Sequence, residues 1–132
     1  MNLLINIDVE DLAAAETFYT AAFGLHTGRR FGSAAVELLG ATAAIYLLNK
    51  PAGSVGAGRS LRDYARHWTP LHCDVVVDDL DAALIRALAA GAVQEDAIRE
   101  HDWGHIVTVA DPFGHGWCLL QFRGRGYDEI AT

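Results

Sequence analysis

A chain of 132 residues, 52% hydrophobic and 20% charged, is one ordinary globular domain: too apolar for disorder and long enough to bury about two-thirds of its unfolded surface. A formal net charge of −7 speaks against nucleic acid and anionic membranes as partners. The two cysteines form no CxxC pair and no disulfide framework, and neither a leader nor an apolar run of membrane-spanning length is visible, so the sequence reads as cytoplasmic with reduced thiols.

In chain order, Leu3 to Val9 reads as a strand, because Ile5, Ile7 and Val9 alternate with Leu4, Asn6 and Asp8. Leu12, Ala15, Phe18, Tyr19 and Ala22 then make one apolar stripe of a helix that opens after Asp11 and closes at Gly24. Residues 26–32 carry Arg29 and Arg30 through a short strand or loop. Residues 34–39 and 43–48 read as a hairpin turning at Gly40. The stretch 49–70 breaks the pattern. Its first half is rich in Gly, Ser, Ala and Pro, as a mobile connection is, and residues 61–68 are polar-aromatic and suit a helical turn. A connection of this length is typically a link between modules or a ligand-covering loop.

The first pattern then repeats, which is the main organising signal. Cys73, Val75 and Val77 alternate with His72, Asp74 and Val76, and Leu80, Ala83, Leu84, Ala87 and Leu88 form the second helical stripe. Asp78, Asp79 and Asp81 put negative charge at that helix's N-terminus, and Gly91 stands at its end. A weaker strand near 92–97 and strands near 105–110 and 116–122 follow. Asp111-Pro112-Phe113-Gly114 between the last two has the residue choices of a type I turn. Each half reads β-α-β-β-β, predicting an α+β fold. One domain spans 1–132, with module one at 1–50, a connection at 51–70, module two at 71–122 and a tail at 123–132. A frayed tail is expected, with Tyr127 and Ile130 as the alternative anchors across a partner subunit.

The doubled unit, with Asp11-Leu12, Phe18-Tyr19 and Phe23-Gly24-Leu25 in one half, Asp79-Leu80 and Ala90-Gly91-Ala92 in the other, and DPFGHGW at 111–117, resembles the vicinal oxygen chelate superfamily of glyoxalases, bleomycin-resistance proteins and extradiol dioxygenases. The resemblance implies two βαβββ modules forming a curved mixed sheet around a cleft, and a homodimer. In the superfamily's metalloenzymes a divalent metal is held by a His or Gln of each module's first strand and a Glu of its last. Carried over residue by residue, His72 fits. Leu4 cannot ligate, and Cys118 stands where many members have glutamate. The remaining position falls on Tyr46, with Glu37 on the neighbouring strand. No hard-metal set is complete, and His72 with Cys118 supplies two soft or borderline donors with no evident third, so neither metal nor cofactor is expected.

If the strand phases that carry Ile7 and Val75 face the helices, the opposite phases carry Asn6, Asp8, His72, Asp74 and Cys118. Four polar residues among these are more than a sealed core accepts without partners, and they read as a wet pocket with Tyr46, Trp68 and Trp103 as candidate walls. Two functions compete. One is a small-molecule binding protein of the bleomycin-resistance kind, metal-independent, holding an apolar or aromatic compound, neutral or cationic. The other is an enzyme: a metal-dependent lyase, isomerase or dioxygenase, or a metal-free one with His72 as general base. An interaction module without a ligand is a third alternative, and a ferredoxin-like fold is the alternative architecture.

Overall fold

Two aspartates start the helices where the sequence places them. In the computed structural model, which describes all residues from Met1 to Thr132, the Asp11 carboxylate accepts from the Ala14 amide and the Asp79 carboxylate from the Ala82 amide, each at 2.9 Å. Each such cap is worth about 1 kcal/mol against alanine. Left-handed Gly24 and Gly91 close the helices α1 (Leu12–Phe23) and α2 (Leu80–Ala90). Neither helix is long and apolar enough to cross a membrane.

The chain divides into two compact units, Met1–Ala65 and Arg66–Thr132. In the first, β1 (Leu4–Val9), β2 (His26–Phe31), β3 (Ala35–Leu39) and β4 (Ala44–Asn49) form a sheet of order β1-β4-β3-β2. The β1–β4 pair is parallel, and the other two pairs are antiparallel. The predicted phase of β1 is observed: Ile7 and Val9 are buried, while Leu4 and Asn6 are exposed. Phe18 and Tyr19 of α1 complete this core with Val36, Leu38, Ile45 and Leu47.

The second unit repeats the topology. β7 (Cys73–Val76) runs parallel to β11 (Gly116–Phe122), which is antiparallel to β10 (Gly104–Ala110). Its remaining strand differs from the single one predicted near 92–97. It is split into β8 (Val93–Gln94) and β9 (Arg99–His101), both paired with β10. The cause is local: the Asp96 side chain accepts from the Thr108 amide at 2.8 Å, taking a bond that a strand carbonyl normally accepts. α2 packs on β11, and Leu80, Ala83, Leu84 and Ala87 of the helix are buried together with Trp117 and Leu119 of that strand and Val107 and Val109 of β10. Each unit is thus a curved mixed sheet with one helix on one face, an α+β arrangement.

Three expectations for the irregular segments are corrected. The first half of the connection is a small hairpin, β5 (Val55–Ala57) and β6 (Ser60–Leu61), not an unstructured link. Arg62 ties it to β1 through a 2.6 Å ion pair with Asp8, so residues 51–65 belong to the first unit. No helical turn forms over 61–68, because the Asp63 carboxylate captures the Ala65 amide and the Tyr64 hydroxyl donates to the Lys50 carbonyl. The tail is also ordered, as a 3-10 turn over Gly126–Glu129. Tyr127 packs on Phe122 and Trp103 of its own unit, with ring centroids 4.8 and 5.3 Å away.

Candidate functional site

The second unit gathers three of the predicted site residues through strand register. Asp74 lies directly beside Cys118 because β7 and β11 are parallel, and His72 is two residues before Asp74, on the same face. The His72 Nε2 is 3.5 Å from an Asp74 carboxylate oxygen. One ligating atom each from His72, Asp74 and Cys118 lies within 4.8 Å of the others. Asp74 is therefore the third donor that the sequence alone did not place. Beside this trio is an open pocket of about 200 Å³, lined by Arg66, Trp68, Thr69, His72, Thr108, Gly116, Trp117 and Cys118. Trp68 is 81% exposed, so its ring is available at the rim.

Arg66 is part of this wall because β11 has a glycine there. A Cβ on Gly116 would lie 2.2 Å from a guanidinium nitrogen of Arg66. Arg66 is held by two bonds to the Glu95 carboxylate, 2.7 and 3.0 Å, which offset its charge. Arg99 is similarly paired with Asp96. The carboxylate of Asp74 has only the exposed imidazole of His72 as an ion-pair partner.

Burial pushes the Cys118 thiol up from its ordinary value; Thr108 opposes the rise, and the negative Asp74, which accepts from the thiol, adds to it. Cys118 is accordingly a neutral thiol near pH 7, which counts against it as a nucleophile despite the nearby imidazole. The donor set of one imidazole, one carboxylate and one sulfur does not fit the two-His-one-carboxylate iron face or an all-oxygen hard-cation site. It does fit a borderline cation that tolerates sulfur.

The other predicted residues lie elsewhere. In the first unit Asn6, Tyr46 and Glu37 follow one another across β1, β4 and β3. The Tyr46 hydroxyl donates to Glu37 at 2.8 Å and accepts from Arg29 at 2.8 Å. Glu37, only 5% exposed, also accepts from the Arg29 amide at 3.0 Å and from its guanidinium at 3.0 and 2.5 Å. The Arg29 guanidinium and amide, then Tyr46, hold the Glu37 carboxyl down at about 2. Tyr46 is thus engaged in an internal network, and Asp8 is neutralised by Arg62 rather than free for a guest. Trp103 stands outside the pocket, its ring stacked on His101 at 4.7 Å. His115 serves the 111–115 turn, its ring 3.1 Å from the Asp111 carboxylate.

Arg66, Thr69 and Thr108 escaped the sequence reading. Thr108 was signalled by being the one polar residue within the apolar run 106–110, and Arg66 by its place beside Trp68.

A family model described as "Glyoxalase-like domain" matches residues 4–120. An uncharacterized protein of Mycobacterium bovis is 37% identical over 133 residues, covering 94% of this chain and 86% of that protein. Among solved structures, the fosfomycin resistance protein FosX of Listeria monocytogenes superposes with a TM-score of 0.71 at 17% identity, over 93% of each chain. A lactoylglutathione lyase of Agrobacterium tumefaciens superposes with a TM-score of 0.64 at 20% identity, over 92% of each. At these identities the two structures are similar in fold alone.

Proposed function

The chain belongs to the glyoxalase-like domain family of the vicinal oxygen chelate superfamily, and from that premise we propose that it binds a small, flat, cationic organic compound in the pocket of its second unit. The carrying observation is the conjunction of an exposed Trp68 ring at the rim with the Asp74 carboxylate, which adjoins the pocket beside His72 and Cys118 and has no guanidinium partner. A ring stacked on Trp68 gains from cation–π attraction, and its charge gains from Asp74. His72 and Thr108 supply hydrogen bonds to polar substituents. A volume of about 200 Å³ is below the roughly 300 Å³ at which drug-sized sites begin, so the guest is one or two rings in size. Recognition of this kind needs no metal.

A second reading, a metal-dependent lyase or isomerase, draws support from the His72–Asp74–Cys118 donors. Dioxygenase chemistry draws none, for want of the iron face. The two free cysteines fit a reducing cytoplasm, and a homodimer is proposed from family resemblance alone.

The test is titration of chelator-treated protein with N-methylquinolinium and with neutral quinoline at pH 8, followed by tryptophan fluorescence. Micromolar binding that favours the cation about fivefold is expected, since a cation–π contact is worth on the order of 1 kcal/mol. Trp68→Ala should abolish it, and Asp74→Asn should reduce the preference. Absence of saturable quenching below about 1 mM, or an Asp74→Asn variant with the preference intact, rejects the reading.

A further inference from the structure

We propose that His72, Asp74 and Cys118 form a three-ligand, open-sided site for a thiophilic divalent cation, zinc above all, lying wholly within the second unit. The first support is geometric. Asp74 and Cys118 face each other on the adjacent parallel strands β7 and β11, His72 immediately precedes β7, and the three donor atoms lie within 4.8 Å of one another. Bonds of about 2.0–2.3 Å in a tetrahedral site make ligand–ligand edges of roughly 3.3–3.8 Å, so closure requires the atoms to converge by about 1 Å. The exposed side chains of His72 and Asp74 are able to supply that movement by rotation.

The second support is chemical. One nitrogen, one oxygen and one sulfur disfavour magnesium and manganese, which take oxygen ligands, and suit zinc and its spectroscopic substitute cobalt. This set departs from the superfamily's own. The glutamate position is occupied by sulfur, Asp74 is an added ligand, and Leu4 contributes nothing. A change of ligands therefore predicts a change of metal preference. The third support is electrostatic: the guanidinium groups of Arg66 and Arg99 are paired with Glu95 and Asp96, leaving the cluster without an unpaired cation to repel the ion. The side of the cluster next to Thr108, whose hydroxyl is 3.9 Å from the Cys118 sulfur, opens on the pocket and leaves room for a fourth ligand.

The inference goes beyond the guest-binding function, and the two are alternative occupants, because each uses Asp74. Equilibrium dialysis of chelator-treated protein against zinc should give one ion per chain, while manganese or magnesium at the same concentration is not retained. Cobalt should give a sulfur-to-metal charge-transfer band in the near ultraviolet that Cys118→Ser abolishes and Cys73→Ser keeps. Cys118→Ser and Asp74→Asn should each weaken zinc tenfold or more. Asp74 is exposed, so its variant decides the matter if Cys118→Ser is found unfolded by circular dichroism. Zinc that fails to bind, cobalt bound without the band, manganese retained equally, or Asp74→Asn with unchanged zinc affinity each overturns the proposal. Because the organic probe is measured on metal-free protein, failure here leaves the guest-binding result standing.

Discussion

Replacing Asp111 by alanine should destabilise the second unit by about 4 kcal/mol, and the figure follows from the bonds it makes. The carboxylate side chain is fully buried at the β10–β11 turn. It accepts from the Phe113 amide at 2.8 Å, the His115 amide at 3.0 Å and the Trp117 indole nitrogen at 3.0 Å. Trp117 is 5% exposed, so its N–H has no ready access to water, and losing an ionic acceptor there costs about 2 kcal/mol. Phe113 and His115 are half-buried, so their amides partly rehydrate, and each loss costs about 1 kcal/mol. All three tryptophans lie in the second unit, so urea unfolding followed by their fluorescence reports on that unit. A double-mutant cycle with Trp117→Phe isolates the indole bond, and a coupling of about 2 kcal/mol is expected. A loss under about 1.5 kcal/mol for Asp111→Ala, or additive effects in the cycle, refutes the reasoning.

In the first unit, Glu37 predicts acid sensitivity. Its carboxyl titrates at about 2 when folded against an ordinary 4.5, so the stability it contributes is whole above that ordinary value and is lost as pH falls toward 2. Near-ultraviolet circular dichroism of the tyrosines should show Glu37→Gln with a flatter acid limb; an unchanged limb contradicts the assignment. Gly104→Ala should cost about 3 kcal/mol or more, because φ there is +153° and the new Cβ would meet the Gln121 carbonyl oxygen 2.1 Å away. The same urea assay checks it, and a variant within 1 kcal/mol of the parent contradicts it.

The two strand–helix openings, their caps and the pseudo-repeat were legible in the chain because they depend on short-range facts. Alternation at Ile5, Ile7 and Val9, the stripe from Leu80 to Leu88, and Asp11 and Asp79 as caps all operate within about one turn or one strand of sequence. The phase of β1 and β7 was legible for the same reason, and with it the face that carries His72 and Asp74. Register across distant strands was not. That Asp74 abuts Cys118, 44 residues on, is a consequence of the parallel β7–β11 pairing.

Partner choice among charges was equally beyond the sequence. Nothing local says that Asp8 is matched by Arg62, Glu37 by Arg29, or Arg66 by Glu95, because long side chains have many sterically allowed partners until the backbone fixes one. What the chain by itself determined is therefore the repeated βαβββ grammar and the faces of its strands, which periodicity dictates. Tertiary structure alone decided which acids stay available at the pocket and which donors converge there. Those are questions of distance between residues far apart in sequence, and only the folded sheet sets those distances.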